Sequence, residues 1–234
     1  MSHLVLLGDS VFDNTAYVGG GPDVISQVRT KLPPTWNATL LAVDGGVTSD
    51  IKNQLRKLPR DASHLILSVG GNDALGHVDI LEARSRSTAE TLERLAEIGS
   101  DFERRYKSML DAVRASKKPT AICTIYYPRF PDPMLQRLSV TALTVFNDAI
   151  LRLGVLAGLP ILDLRLICDE DADYANPIEP SSRGGEKIAR AIATLLSEHD
   201  FSRRRTEIFL CEPTRTSTER SRRDGESAHP ADTR

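Results

Sequence analysis

The chain has 234 residues, with 40% hydrophobic and 26% charged side chains and a formal net charge of −2. That balance is ordinary for a globular domain and excludes a whole-chain electrostatic attraction to nucleic acid or to an anionic bilayer. Cys123, Cys168 and Cys211 are far apart, odd in number and free of any CxxC pair, which argues against a disulfide scaffold and a structural zinc site.

The four apolar residues Leu4 to Leu7 read as a buried strand, His3 to Gly8, that runs straight into Gly8-Asp9-Ser10. It begins without a basic leader and is too short for a signal peptide, so a cytoplasmic location is expected. Ala38 to Asp44 is a second apolar run, ending at Gly45-Gly46. Thr48 and Ser49 then offer N-caps for a short helix to about Leu58. His64 to Val69 is a third strand, again ending in glycines, Gly70-Gly71. Residues 88 to 115 read as a helix interrupted at Gly99-Ser100, with Leu95, Phe102, Tyr106 and Val113 on its core face. Pro119 to Tyr127 holds a fourth strand, in which Cys123 reads as core packing. Pro133 to Ala157 reads as a helix, Pro160 to Leu164 as a short fifth strand, and Glu186 to about Glu198 as the last helix.

Strands separated by helices predict a parallel sheet covered on both faces. The expected fold is α/β: a five-stranded, three-layer α/β/α sandwich, flavodoxin-like, over residues 1–200. From Arg203 onward apolar residues almost vanish, so residues 201–234 are expected to form a disordered charged tail. No run approaches the roughly 20 apolar residues that span a bilayer. No His/Cys/Asp/Glu spacing suggests a metal, and the glycines fit neither GxGxxG nor GxxxxGK[ST], so no cofactor is expected.

Three strands end in small or polar clusters: Gly8-Asp9-Ser10, Asp44-Gly45-Gly46 and Gly70-Gly71-Asn72-Asp73. In a parallel sheet these ends share one edge, where open α/β sheets bind ligands. A serine attacking an ester there needs preorganised donors about 3 Å from the developing oxyanion. Backbone N–H groups of Ser10 and of a glycine after the second strand, with the Asn72 side chain, are candidates. Asp9 either shapes the turn or lines the substrate site. Asp13 and Asn14 are candidates for the pocket mouth or plain turn residues, and Asp163 and Asp169 are further acids near the fifth strand.

These residues resemble the SGNH hydrolases, the GDSL esterase/lipase family. Its Ser, Gly and Asn blocks are matched in order by Gly8-Asp9-Ser10, by Gly45 in VDGGVTSD, and by Gly70-Gly71-Asn72-Asp73. The resemblance implies Ser10 as nucleophile, Gly45 and Asn72 as oxyanion donors, and a small-molecule acyl ester or thioester as substrate.

The last block departs from that family. Where it carries Asp-x-x-His, this chain reads Asn176-Pro177-Ile178-Glu179, followed by Pro180-Ser181 and Gly184-Gly185. Serine needs a neighbouring base, and glutamate is a poor one near its ordinary pKa of about 4.3 unless burial raises it. Asn176 carries no charge, which is consistent with a Glu in place of a His. Three readings follow: Glu179 is the base; His77, in the loop after the third strand, is the base; or the pocket binds ligand without turnover.

Overall fold

The computed structural model of the chain describes residues 2–210. Strand β1 (Ser2–Gly8) lies between β2 (Trp36–Leu40), an edge strand, and β3 (His64–Ser68). Beyond β3 come β4 (Thr120–Cys123), β5 (Ile161–Leu162) and β8 (Ile208–Phe209), giving the order β2-β1-β3-β4-β5-β8. Every pairing in this sheet is parallel.

The alternation of β1 sorts the core into two halves. Leu4 and Leu6 pack on one side with Val24 and Val28 of α1 (Val24–Lys31) and Ile188 and Ile192 of α7 (Ser182–Glu198). Val5 and Leu7 pack on the other with Phe102 and Tyr106 of α4 (Thr88–Ala115) and Phe146 and Ile150 of α5 (Pro133–Ala157). Cys123 is buried in the first half, as expected. Three short helices fill the loops: α2 (Ile51–Leu55), α3 (Gly71–Leu75) and α6 (Leu164–Ile167). A small antiparallel hairpin, β6 (Tyr174–Asn176) and β7 (Glu179–Pro180), stands apart from the main sheet.

Several expectations change. The sheet has six strands, not five, because residues 201–210 belong to the fold. In β5, Ile161 N–H donates to the Glu207 carbonyl (2.8 Å), and just after it Asp163 N–H donates to that of Phe209 (3.2 Å). The Phe209 side chain is buried among His199 and the first core half. Two residues carry too little periodicity to read as a strand after Arg203-Arg204-Arg205. The rest of the expected tail, 211–234, lies outside the described residues.

Helix α4 runs unbroken through Gly99-Ser100. Gly99 faces Val145, where an added Cβ would sit 3.4 Å from that side chain, and the Ser100 hydroxyl returns its hydrogen bond to the Ala96 carbonyl. Strand β2 ends at Leu40 because Leu41 and Ala42 both turn their N–H groups onto the Leu6 carbonyl. Among the described residues one helix, α5, is long and apolar enough to cross a bilayer by length and composition. Here it packs on α4 and buries Phe146, Ala149, Ile150 and Leu153. Gln136, Arg137, Asp148 and Arg152 interrupt its apolar run, so it holds no uninterrupted apolar stretch of spanning length.

Candidate active site

After β1 the chain builds β2 on one side and β3 on the other, so the carboxyl ends of β1 and β3 flank a crevice where strand order reverses. Ser10 follows β1, and Asn72 follows β3 in α3.

Gly8 shapes the first turn. Its φ is +137°, and an added Cβ would lie 1.7 Å from the Ser68 carbonyl oxygen. The buried Gln54 side chain brackets it, accepting from the Gly8 N–H (2.8 Å) and donating to the Gly8 carbonyl (2.7 Å). Asp9 completes the turn: its carboxyl accepts the Val11 N–H (3.1 Å), while its carbonyl accepts the N–H groups of Phe12 and Asp13. The N–H of Ser10 has no acceptor among the described residues.

The Ser10 hydroxyl donates to Glu179 Oε1 at 3.1 Å. Glu179 reaches it from β7, and four hydrogen bonds fix that strand and the turn before it. Asn176 Oδ1 accepts the N–H groups of Ile178 and Glu179, both at 3.0 Å. The Tyr126 hydroxyl donates to the Ile178 carbonyl (2.5 Å), and the fully buried Asn14 donates to that of Pro180 (3.1 Å). Asn176 itself is exposed and does not line the crevice, so the expectation that it binds substrate is corrected: it holds the turn that presents Glu179.

On the opposite wall, Asn72 Nδ2 donates to the Gly46 carbonyl (3.0 Å), which uses one of its two donors. Asp73 anchors the adjoining loop by accepting from the N–H (2.9 Å) and hydroxyl (2.7 Å) of Thr48. Gly45 is exposed, with φ +76°, and does not itself line the cavity; its N–H also lacks an acceptor among the described residues. Gly46 is the packed one, 2.9 Å from the Gly8 carbonyl oxygen were a Cβ present.

Asp9, Ser10, Asn72, His77 and Glu179 line one cavity of about 110 Å³, whose far wall is apolar and includes Leu95, Ile98, Ile125, Leu143 and Phe146. His77 is on the wall, but its ring makes no hydrogen bond to Ser10, whose hydroxyl is committed to Glu179. Asp163 is paired with Arg165 (2.6 Å) and Asp169 with Lys187 (2.9 Å), away from the cavity. No group of three or more His, Cys, Asp or Glu side chains placed to hold a metal occurs among the described residues.

Burial raises the Glu179 carboxyl to about 7, with Asp44 adding to the shift and the Ser10 hydrogen bond opposing it. Burial also raises Asp9 to about 8, with further pushes from Glu179 and Asp73. The folded chain therefore keeps a proton on Asp9 that the unfolded chain, with its ordinary value of 3.8, releases. More protons in the folded state means stability falls as pH rises, here from about pH 4 to about pH 8. Asp9→Asn retains an acceptor for the Val11 N–H and removes that titration. Its melting temperature, followed across the same pH range, is expected to decline less steeply than that of the wild type.

Gln54 carries no sequence signal for this arrangement, and the contacts of Asn14 and Tyr126 with the β7 segment are equally unmarked. Each acts through a partner at least 46 positions away in sequence, so no local pattern marks them.

The crevice and the sheet order define the class: an α/β protein of the SGNH hydrolase type. The chain belongs to the GDSL-like lipase/acylhydrolase family, which it matches over residues 6–187. Solved structures of similar fold include an extracellular lipase from Streptomyces rimosus, 17% identical with a TM-score of 0.57, over 86% of this chain and 100% of that one. A phospholipase A1 from Streptomyces albidoflavus is 20% identical with a TM-score of 0.57, over 85% and 99%. An α/β hydrolase from a Lake Arreo metagenome is 18% identical with a TM-score of 0.58, over 84% and 94%. At these identities the likeness is one of fold. Among curated proteins none matches the chain.

Proposed function

We propose that the protein is a serine esterase in which Glu179 replaces histidine as the general base. The observation that carries this reading is the hydrogen bond from the Ser10 hydroxyl to Glu179 Oε1 at the head of an apolar cavity. In the first step Ser10 Oγ attacks the ester carbonyl while Glu179 takes its proton. The tetrahedral oxyanion is held by the N–H groups of Ser10 and Gly45 and by the remaining donor of Asn72. As the C–O bond breaks, protonated Glu179 returns the proton to the leaving alcohol and the acyl group stays on Ser10. Water then attacks the acyl-enzyme as Glu179 again accepts the proton; the acyl–Oγ bond breaks, Glu179 returns the proton to Ser10 Oγ, and the carboxylic acid leaves. A carboxyl raised to about 7 serves both directions near neutral pH, as an ordinary glutamate would not.

The substrate class follows from the cavity. Its far wall of Leu, Ile and Phe side chains receives an apolar group, in keeping with esters of aliphatic acids or alcohols.

The test is incubation with short-chain p-nitrophenyl esters and a fluorophosphonate probe. Wild type and His77→Ala are expected to turn over ester and take the label, and Ser10→Ala to do neither. Absence of both turnover and labelling in the wild type from pH 5 to pH 9 would favour a binding pocket without chemistry. Loss of turnover in His77→Ala would return that residue to the role of base.

A further inference from the structure

Four hydroxyl side chains line the cavity among the described residues: Ser10, Ser68, Tyr126 and Ser139. Three are engaged. Ser10 donates to Glu179 Oε1 (3.1 Å), Tyr126 donates to the Ile178 carbonyl (2.5 Å), and Ser68 is hydrogen-bonded to the buried Cys123 thiol. The fourth, Ser139 on α5, is 8% exposed, and its hydroxyl makes no hydrogen bond among the described residues.

A serine or threonine inside a helix commonly returns its hydroxyl to a carbonyl three or four residues back. On α5 the Thr141 hydroxyl donates to the Arg137 carbonyl (2.9 Å) and the Thr144 hydroxyl to that of Thr141 (2.6 Å). Ser139 does not. The partnerless hydroxyls sealed from solvent among the described residues are those of Tyr106, Ser116, Ser182 and Thr206, and Ser139 is not one of them. Its oxygen therefore still meets open space, and the open space it lines is the cavity.

Ser139, Leu143 and Phe146 follow an i, i+4, i+7 spacing and share one helix face, so a lone hydroxyl stands in an apolar wall. A water bound there needs about two to four polar partners, and the side chains of Ala142, Leu143 and Phe146 offer none. A buried hydroxyl left unmet costs free energy, which an oxygen on the ligand recovers. Resting on the esterase reading, we infer that Ser139 is a specificity-determining residue: the aliphatic chain received by the cavity carries a hydroxyl group, and Ser139 hydrogen-bonds it. That hydroxyl belongs to the acyl half of the ester or to its alcohol half.

The experiment separates the two sources. Methyl 3-hydroxyhexanoate and methyl 6-hydroxyhexanoate are compared with methyl hexanoate, and 6-hydroxyhexyl acetate with hexyl acetate. The quantity read is kcat/KM for the hydroxylated ester relative to the plain one. Ser139→Ala is expected to lower this ratio about three- to tenfold, the worth of one neutral hydrogen bond, with the loss falling on KM. Intrinsic ester reactivity is the same for both proteins and cancels in the comparison. Ser139→Ala is also expected to melt no lower than the wild type, since it removes an unmet hydroxyl and supplies a better helix former. A fall in the first set assigns the acyl half, and a fall in the second assigns the alcohol half. An unchanged ratio in both sets overturns the inference. If the wild type turns over none of these esters, the esterase reading fails separately. Calorimetric binding of the same esters then decides: tighter binding of a hydroxylated ester that Ser139→Ala abolishes upholds the assignment, and equal binding by both proteins overturns it.

Discussion

Glu179→Gln is expected to lower kcat/KM on p-nitrophenyl esters by about 10²- to 10⁴-fold, the range over which a positioned general base acts. The Gln side chain still accepts the Ser10 hydroxyl hydrogen bond but takes no proton from it. In the wild type the rate should rise with pH and level off above about 7, because the base works in its ionised form and Glu179 titrates there. The sign for stability runs the other way. A carboxyl raised in the folded state opposes folding once it ionises, so Glu179→Gln should melt no lower than the wild type at pH 8. A variant that loses activity while keeping its melting temperature separates chemistry from collapse. Retention of the full rate in a folded Glu179→Gln protein would remove Glu179 from the mechanism.

Gly8→Ala is expected to cost more than about 4 kcal/mol, a value reserved for severe steric or backbone conflict. The new Cβ would sit 1.7 Å from the Ser68 carbonyl oxygen, and φ of +137° is foreign to L side chains. Relief requires parting β1 from β3, between which Asp9 N–H donates to that same carbonyl at 3.1 Å. A domain with about 5–15 kcal/mol in total does not absorb such a loss comfortably. Gly45→Ala provides the contrast. Nothing lies within 4 Å of its added Cβ, so only the left-handed backbone is penalised, by about 1–2 kcal/mol. Urea unfolding of both variants checks the ranking, and a Gly8→Ala protein as stable as Gly45→Ala would contradict it.

How far the sequence reaches can be judged residue by residue. The apolar run Leu4 to Leu7 and the clusters at Ser10 and Asn72 identified a shared sheet edge, because parallel strands bring their carboxyl ends together whatever the intervening loops. The run Asn176-Pro177-Ile178-Glu179 leads to the expectation that the Glu179 carboxylate shares a crevice with Ser10, and the two side chains are hydrogen-bonded. The role given to Asn176 failed for a physical reason. An exposed Asn two and three residues before a pair of N–H groups closes a turn locally, and no spacing rule distinguishes this from a pocket contact. Gln54 was illegible because it acts through a glycine backbone 46 positions away. The two-residue β8 was illegible because pairing, not pattern, defines it.

The family match stops at residue 187, inside α7, whereas the sheet continues to Phe209. A recombinant boundary drawn after residue 200 therefore amputates a strand. It bares the flank of β5, strips acceptors from the Ile161 and Asp163 amides, and removes the edge-to-face contact of Phe209 with His199. Such an unpaired flank is a template for self-association between truncated molecules. Precipitation of a shortened version would report that wound, with the chemistry at Ser10 untouched on the far side of β3.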